Sequence, residues 1–215
     1  MKLYLNDTSP FSRVALATVL LSNQSNVELV WVDPWASPTE LLQVNPFSMI
    51  PTLQLESGTN MIESLAICQF LVTKYQPIDV QALRLDDEHE CALMGQAKTL
   101  MEISFKSVAL GRFIELPNEL HQRAIVAVQR ALIELNRVLE SNQTTTHIKS
   151  SLATLYLHCA LDYIEFRHGE LFEQYAQQPI LDFMRHSPYH SLLNQISVAK
   201  LANQPSFTEL NNTKI

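Results

Sequence analysis

Few side chains in this 215-residue sequence stand where type and spacing alone would do chemistry. Cys68, Cys91 and Cys159 are far apart, lack a CxxC pairing, and sit among apolar neighbours in a helical pattern. They read as buried, reduced thiols, as expected in a reducing cytosol. His186 and His190 are four apart, but Ser187-Pro188 interrupts the helix that would align them. His89 and Cys91 have no further ligand at suitable spacing, so no metal site is expected. The acidic run Asp86-Asp87-Glu88-His89-Glu90 reads as a solvated helix start, where negative charge meets the positive end of the dipole, rather than as a catalytic carboxylate pair. Hydroxyls at expected helix starts remain. Ser9 precedes Pro10, which at the first helical position lacks only a donor that would be unpaired anyway, and Ser64 follows Glu63. Each Ser can cap its helix by accepting a backbone amide, for Ser9 that of Ser12.

The elements that hold these residues follow from pattern. Residues 2–5 read as a strand, followed by a helix opened by Ser9-Pro10 and continued by the apolar face Val14, Leu16, Ala17, Leu20 and Leu21. Val27 to Val32 alternates and is rich in β-branched residues, so a second strand is expected. Ser37-Pro38-Thr39-Glu40 has the form of a capping box opening a short helix. Thr52–Leu55 and Asn60–Ile62 make a hairpin with Gly58 at positive φ, and Ser64 is expected to cap a helix running to about Tyr75. The order β-α-β-α-β-β-α gives a parallel pair joined by a right-handed crossover, plus an antiparallel hairpin: a four-stranded mixed sheet of thioredoxin-like order. That order alone names no function.

After a short linker, Gln76-Pro77-Ile78-Asp79, no strand is expected. Leu93, Ala97, Leu100, Met101, Phe105 and Val108 recur at helical spacing, as do Ile125, Val128, Leu132, Leu135 and Leu139. A third long helix spans Leu152–Arg167, with Gly169 as its C′ residue. Shorter helices are expected over 179–186 and 188–202. The chain therefore reads as an α/β thioredoxin-like domain over 1–76 and an all-α domain over 84–215.

Composition sets outer limits. With 47% apolar residues the chain can bury a sizeable core. The formal charge is −7, and no Lys/Arg stripe of the kind that neutralises phosphate is present, so nucleic acid is not an expected partner. No basic flank leads into an apolar run and no apolar stretch approaches spanning length; no targeting or membrane segment is expected.

Three blocks together resemble the glutathione S-transferase family, in its bacterial, serine-type form. They are Thr8-Ser9-Pro10-Phe11-Ser12-Arg13 after the first strand; Asn45-Pro46-Phe47-Ser48-Met49-Ile50-Pro51-Thr52-Leu53, similar to N-P-x-G-x-[VI]-P-x-L; and Met61-Ile62-Glu63-Ser64-Leu65-Ala66-Ile67, similar to a hydrophobic-E-S-x-A-I run. Ser151-Leu152-Ala153 with Ala160–Arg167 resembles the family's sixth domain helix, and Pro205-Ser206-Phe207 a run near the C-terminus of bacterial members. The blocks lie in the family's order and cover nearly the whole chain.

The resemblance implies glutathione as co-substrate, bound by Ser9, Ile50, Pro51, Glu63 and Ser64, and conjugation of its thiolate to a small hydrophobic electrophile. A thiol of pKa near 8.5 must be held ionised; lowering it by about two units requires roughly 2.7 kcal/mol. One hydroxyl hydrogen bond to a charged sulfur supplies ~1.5–3 kcal/mol and a helix N-terminus ~0.3–1 kcal/mol. Ser9 is the implied donor, since a hydroxyl can accept an amide and donate to a thiolate at once. Simple capping is the competing reading, Ser12 the alternative residue, and Tyr4 a third. Ile50-Pro51 corresponds to the family's cis-proline loop, whose backbone would pair with the cysteinyl residue. Glu63 would take the γ-glutamyl ammonium, and Ser64 with the helix N-terminus the carboxylate.

The electrophile is expected in an apolar pocket among Phe11, Met101 and Phe105. A cytoplasmic homodimer with a detoxifying role, with no metal, nucleic acid or membrane partner, completes the implied picture. Its alternative is a non-catalytic ligand-binding or regulatory protein on the same fold. Departures from the family pattern are Ser48-Met49 where Gly-Lys is common, Thr154 in place of the capping-box Asp, and His147 in place of Gly. Met49 cannot supply a cation for the glycyl carboxylate.

Overall fold

The computed structural model describes residues 1–115, 117–141 and 148–212; His147 lies outside them. The chain divides into two compact units, residues 1–82 with 191–215, and residues 83–190.

In the first unit, strand β1 (Lys2–Leu5) leads to α1 (Pro10–Leu21), β2 (Glu28–Trp31), α2 (Thr39–Leu42), β3 (Thr52–Gln54), β4 (Asn60–Ile62) and α3 (Ser64–Tyr75). The sheet order is β2-β1-β3-β4, with β1 parallel to β2 and antiparallel to β3, and β3 antiparallel to β4. This is the mixed sheet expected. Alternation along β1 divides the core: Leu3 and Leu5 are fully buried, while Tyr4 joins Val32, Leu41 and Val44 in a separate buried cluster. Tyr4 is thus a packing residue beneath α2. Thr18 Oγ1 donates to the Val14 carbonyl at 2.8 Å and lies 3.2 Å from Cys68 Sγ, stitching α1 to α3. Gly58 has φ 84° in the hairpin turn, the left-handed conformation a glycine adopts without steric cost.

The capping box at 37–40 does not form. Asp33 Oδ1 accepts the Trp35 amide and opens a 3₁₀ turn over Pro34–Ala36, and Ser37 closes that turn in the left-handed region at φ 47°. The residue entering α2 is then Pro38, which has no side-chain acceptor.

The second unit holds α4 (Glu88–Leu110), α5 (Glu119–Ser141), α6 (Leu152–Arg167), α7 (Gly169–Tyr175) and α8 (Gln178–His186). Asp87 caps α4 by accepting the His89 and Glu90 amides, as the acidic run suggested. Helix α6 is buried almost all round from Leu152 to Leu161, which marks it as the unit's central helix. Ser151 caps it by accepting the Thr154 amide at 3.3 Å, so the helix start survives the loss of the capping-box Asp. Between α4 and α5 runs an apolar groove of about 350 Å³, lined by Gly95, Thr99, Ile103, Ala127 and Ala131 among others.

Several local expectations are corrected. Gly169 does not end α6 as a left-handed cap; it opens α7, a helix the pattern had not revealed, after His168 turns the chain. The helix expected over 188–202 is two, α9 (His190–Gln195) and α10 (Val198–Leu201), because Ser197 starts a new one. A further helix, α11, covers Phe207–Asn212. Cys68 and Cys159 are buried thiols outside any disulfide among the described residues, but Cys91 is partly exposed in the first turn of α4.

Candidate functional site

The sheet register brings the motif residues of the first unit to one edge. β1 and β2 end together, Leu5 beside Trp31. Tyr4 faces Thr52 and Thr52 faces Ile62, so β1 ends, β3 begins and β4 ends at that same edge. Ser9, Ile50-Pro51 and Glu63-Ser64 are the residues just beyond those three strand ends.

Ser9 is set by its neighbours. Its amide donates to Asn6 Oδ1 at 2.8 Å, and its Oγ accepts the Ser12 amide at 3.2 Å, the cap geometry the sequence foresaw. The residue is 8% exposed. Pro10 occupies the first helical position behind it. Among the described residues none accepts the hydroxyl hydrogen, which is left for a further acceptor. Ser12 is fully buried, and its Oγ has no hydrogen-bond partner among the described residues. Tyr4 lies in the core cluster described above.

The Ile50-Pro51 peptide is cis. Asn45, which the sequence reading had not singled out, organises this loop. Its Nδ2 donates to the Met49 carbonyl at 2.8 Å and to Thr52 Oγ1 at 2.9 Å, and its Oδ1 accepts the Phe47 amide at 3.1 Å. Thr52 Oγ1 in turn donates to the Met49 carbonyl at 2.9 Å. Among the described residues none takes the Ile50 amide or carbonyl. Ser48 has φ 49°, in the left-handed region that favours glycine, and its Oγ donates to the Pro34 carbonyl at 2.9 Å. The Gly common at this motif position thus answers a backbone requirement that Ser48 meets under strain.

At the start of α3 the roles of two residues are exchanged relative to expectation. Glu63, not Ser64, is the N-cap: its Oε1 accepts the Leu65 amide at 3.2 Å. Ser64 is the first helical residue, and its hydroxyl donates to the same Oε1 at 3.2 Å. Glu63 has φ 72°, outside the regions a side-chain-bearing residue prefers, yet its side chain is exposed. Ser64 is buried. The edge therefore presents a carboxylate and, beside it, the amides of a helix start, a pairing suited to a zwitterionic α-amino-acid end.

Arg13, also missed, is the one charged residue in α1 and is buried. Its Nε donates to the Ile196 carbonyl at 3.0 Å and its Nη2 to the Leu193 carbonyl at 2.7 Å. A lone arginine inside an apolar helix was the available signal. Phe11 is half-buried in the first unit. In the second, Met101 has no exposed surface and Phe105 is half-buried. His186 Nδ1 and His190 Nδ1 bond different backbone carbonyls, those of Asp182 and Met184.

Residues 3–78 match the family model for the glutathione S-transferase N-terminal domain. No curated protein matches the sequence. Among solved structures, the chain is similar to a glutathione S-transferase from Methylobacillus flagellatus with GSH bound, at 21% identity and TM-score 0.71, covering 88% of this chain and 97% of that one. It is also similar to one from Methylobacterium radiotolerans in complex with glutathione sulfonate, at 19% identity and TM-score 0.69, covering 88% and 92%. A bacterial beta-class glutathione S-transferase from Sphingomonas chungbukensis gives 19% identity and TM-score 0.69, covering 95% and 98%. These likenesses establish the fold.

Proposed function

We propose that this chain, which carries the glutathione S-transferase N-terminal domain and has the fold of that family, is a glutathione transferase. In this reading Glu63 takes the γ-glutamyl ammonium, while Ser64 and the start of α3 take the α-carboxylate. The amide and carbonyl of Ile50, before Pro51, pair with the cysteinyl backbone as a strand edge pairs with an added peptide. Ser9 donates its hydroxyl hydrogen to the sulfur at the start of α1, holding it as thiolate, with Ser12 as the alternative donor. The sulfur lone pair then attacks a small hydrophobic electrophile, forming a thioether as the leaving group departs with the displaced electron pair.

The observation that supports this best is at Ser9. Its Oγ accepts the Ser12 amide and so keeps its own hydrogen for a further acceptor, in a nearly buried position at a helix N-terminus. Retention on glutathione-agarose and a thiol-conjugation assay, each repeated with Ser9→Ala and Glu63→Ala, test it. Retention indifferent to Glu63→Ala removes the binding assignment, and conjugation indifferent to Ser9→Ala removes the role of that hydroxyl.

Phe11, half-buried and two residues after Ser9, is assigned to the electrophile's side of the site, and its substitution should alter electrophile preference more than glutathione retention. A homodimer, with a second copy received at the α4–α5 groove, a cytoplasmic location and a detoxifying role belong to the same reading. Light scattering after size exclusion checks the first of these. A non-catalytic, glutathione-binding protein is the second reading, and the exposed Met49 favours it to the extent that it weakens hold on the tripeptide. Retention without conjugation would select it.

A further inference from the structure

The chemistry around the cis-proline loop narrows what the far end of the thiol ligand can be; the inference rests on the glutathione reading. The topology sets a direction. Thr52 pairs with Ile62, so Pro51 and Glu63 both stand just beyond that pair, and the chain leads back from Pro51 through Ile50 to Met49. A tripeptide held by its amino-acid end at Glu63-Ser64 and laid along Ile50 therefore directs its C-terminal residue toward Met49.

Two bonds fix how Met49 meets it. Its carbonyl is drawn into the loop by Asn45 Nδ2 and Thr52 Oγ1, at 2.8 and 2.9 Å, and its side chain is left outside, 63% exposed. Phe47 and Trp35, in the same β2–β3 connection, are 67% and 45% exposed, and the Ser48–Pro34 hydrogen bond holds the two arms of that connection together. Residues 33–52 contain no Lys, Arg or His. Among the described residues of the first unit, the side-chain cations are otherwise engaged or elsewhere. Lys2 pairs with Glu28 at the opposite end of the sheet, Arg13 is buried on two carbonyls, Lys74 lies over Phe70 at the far end of α3, and Lys200 is in α10. A carboxylate brought to this rim meets exposed apolar side chains and finds in the connection no cation to replace the hydration it gives up.

We infer that Met49 is a specificity-determining residue, and that the site prefers a γ-glutamyl-cysteinyl thiol whose C-terminal residue is uncharged, such as an ester or amide, over one ending in a free carboxylate. Titration calorimetry of the whole protein with glutathione and with its glycyl monoethyl ester tests this. The ester is expected to bind about threefold to fivefold tighter, the scale of one exposed charge interaction. In Met49→Lys the order reverses, and glutathione affinity in that variant falls as salt is raised. The exposed position lets the variant fold, and Met49→Leu should keep the ester preference. Glutathione binding the natural protein as tightly as the ester, or an ester preference unchanged in Met49→Lys, overturns the inference while leaving the glutathione reading intact. Binding of neither compound overturns both.

Discussion

Arg13 in the first turn of α1 donates to the main-chain carbonyl of Leu193 at 2.7 Å across 180 positions of sequence, and to that of Ile196 at 3.0 Å. A charged donor to two carbonyls in a buried setting makes each bond stronger than a neutral one, and removing it strands both acceptors. Arg13→Ala should lower unfolding free energy by about 3 kcal/mol, and Arg13→Lys should recover only part, because an ammonium cannot reproduce the guanidinium fork. A lower urea midpoint at unchanged slope is the readout.

Ser9→Ala separates two effects of one hydroxyl. Loss of the bond from the Ser12 amide should destabilise the fold by about 1 kcal/mol. Loss of the proposed bond to sulfur should raise the thiol pKa of bound glutathione and cut conjugation by roughly 10-fold to 100-fold at neutral pH. Ser9→Gly, which costs a cap only a few tenths of a kcal/mol, should lose conjugation equally while nearly retaining stability. Absorbance of the bound thiolate, followed against pH, distinguishes the two effects.

Glu63 sits at φ 72°, a conformation that costs a side-chain-bearing residue about 1–3 kcal/mol. Glu63→Gly relieves that cost and gives up the cap bond from Leu65. The melting temperature should therefore stay level or rise slightly, while glutathione retention is lost. A variant that is no less stable yet no longer binds would show strain maintained for the sake of a ligand contact.

His168 gives acid conditions a specific target. Ser107 Oγ donates to the Ser104 carbonyl at 2.8 Å, so the ring Nε2–H donates to Ser107 Oγ at 2.9 Å. Burial, with smaller contributions from His121 and Arg167, pushes its pKa below the ordinary 6.5, against the bond to Ser104. The folded protein thus binds this proton less readily than the unfolded chain. The stability contributed by His168 is complete above about 6.5 and is lost as pH falls from there to the depressed folded value. Glu165, raised above 4.5 by burial and by Asp162, has the reverse slope at lower pH. Melting temperatures between pH 7.5 and 5.5 should fall in the natural protein and fall less in His168→Gln.

What could be read from the residues, and what could not, divides by range. The Ser9 cap and the Gly58 turn depend on neighbours within a few positions, and the mixed sheet follows from the order of elements and the rules for connecting them; these stand as expected. Residue type favours Ser over Glu as the cap of α3, whereas the backbone places the helix start one residue earlier than that choice implies, so that Ser64 is already helical and donates rather than accepts. The box at 37–40 failed because Asp33 had already organised the preceding turn. Asn45 and Arg13 escaped notice for another reason: their bonding becomes visible only when a loop closes on itself or when residues far along the chain arrive.

That late arrival bears on biosynthesis. The guanidinium of Arg13 leaves the ribosome 180 and 183 residues ahead of the two carbonyls, of Leu193 and Ile196, that receive it. Until those carbonyls emerge the two bonds cannot form, so the unit that begins with β1 is completed only after Ile196 has been made.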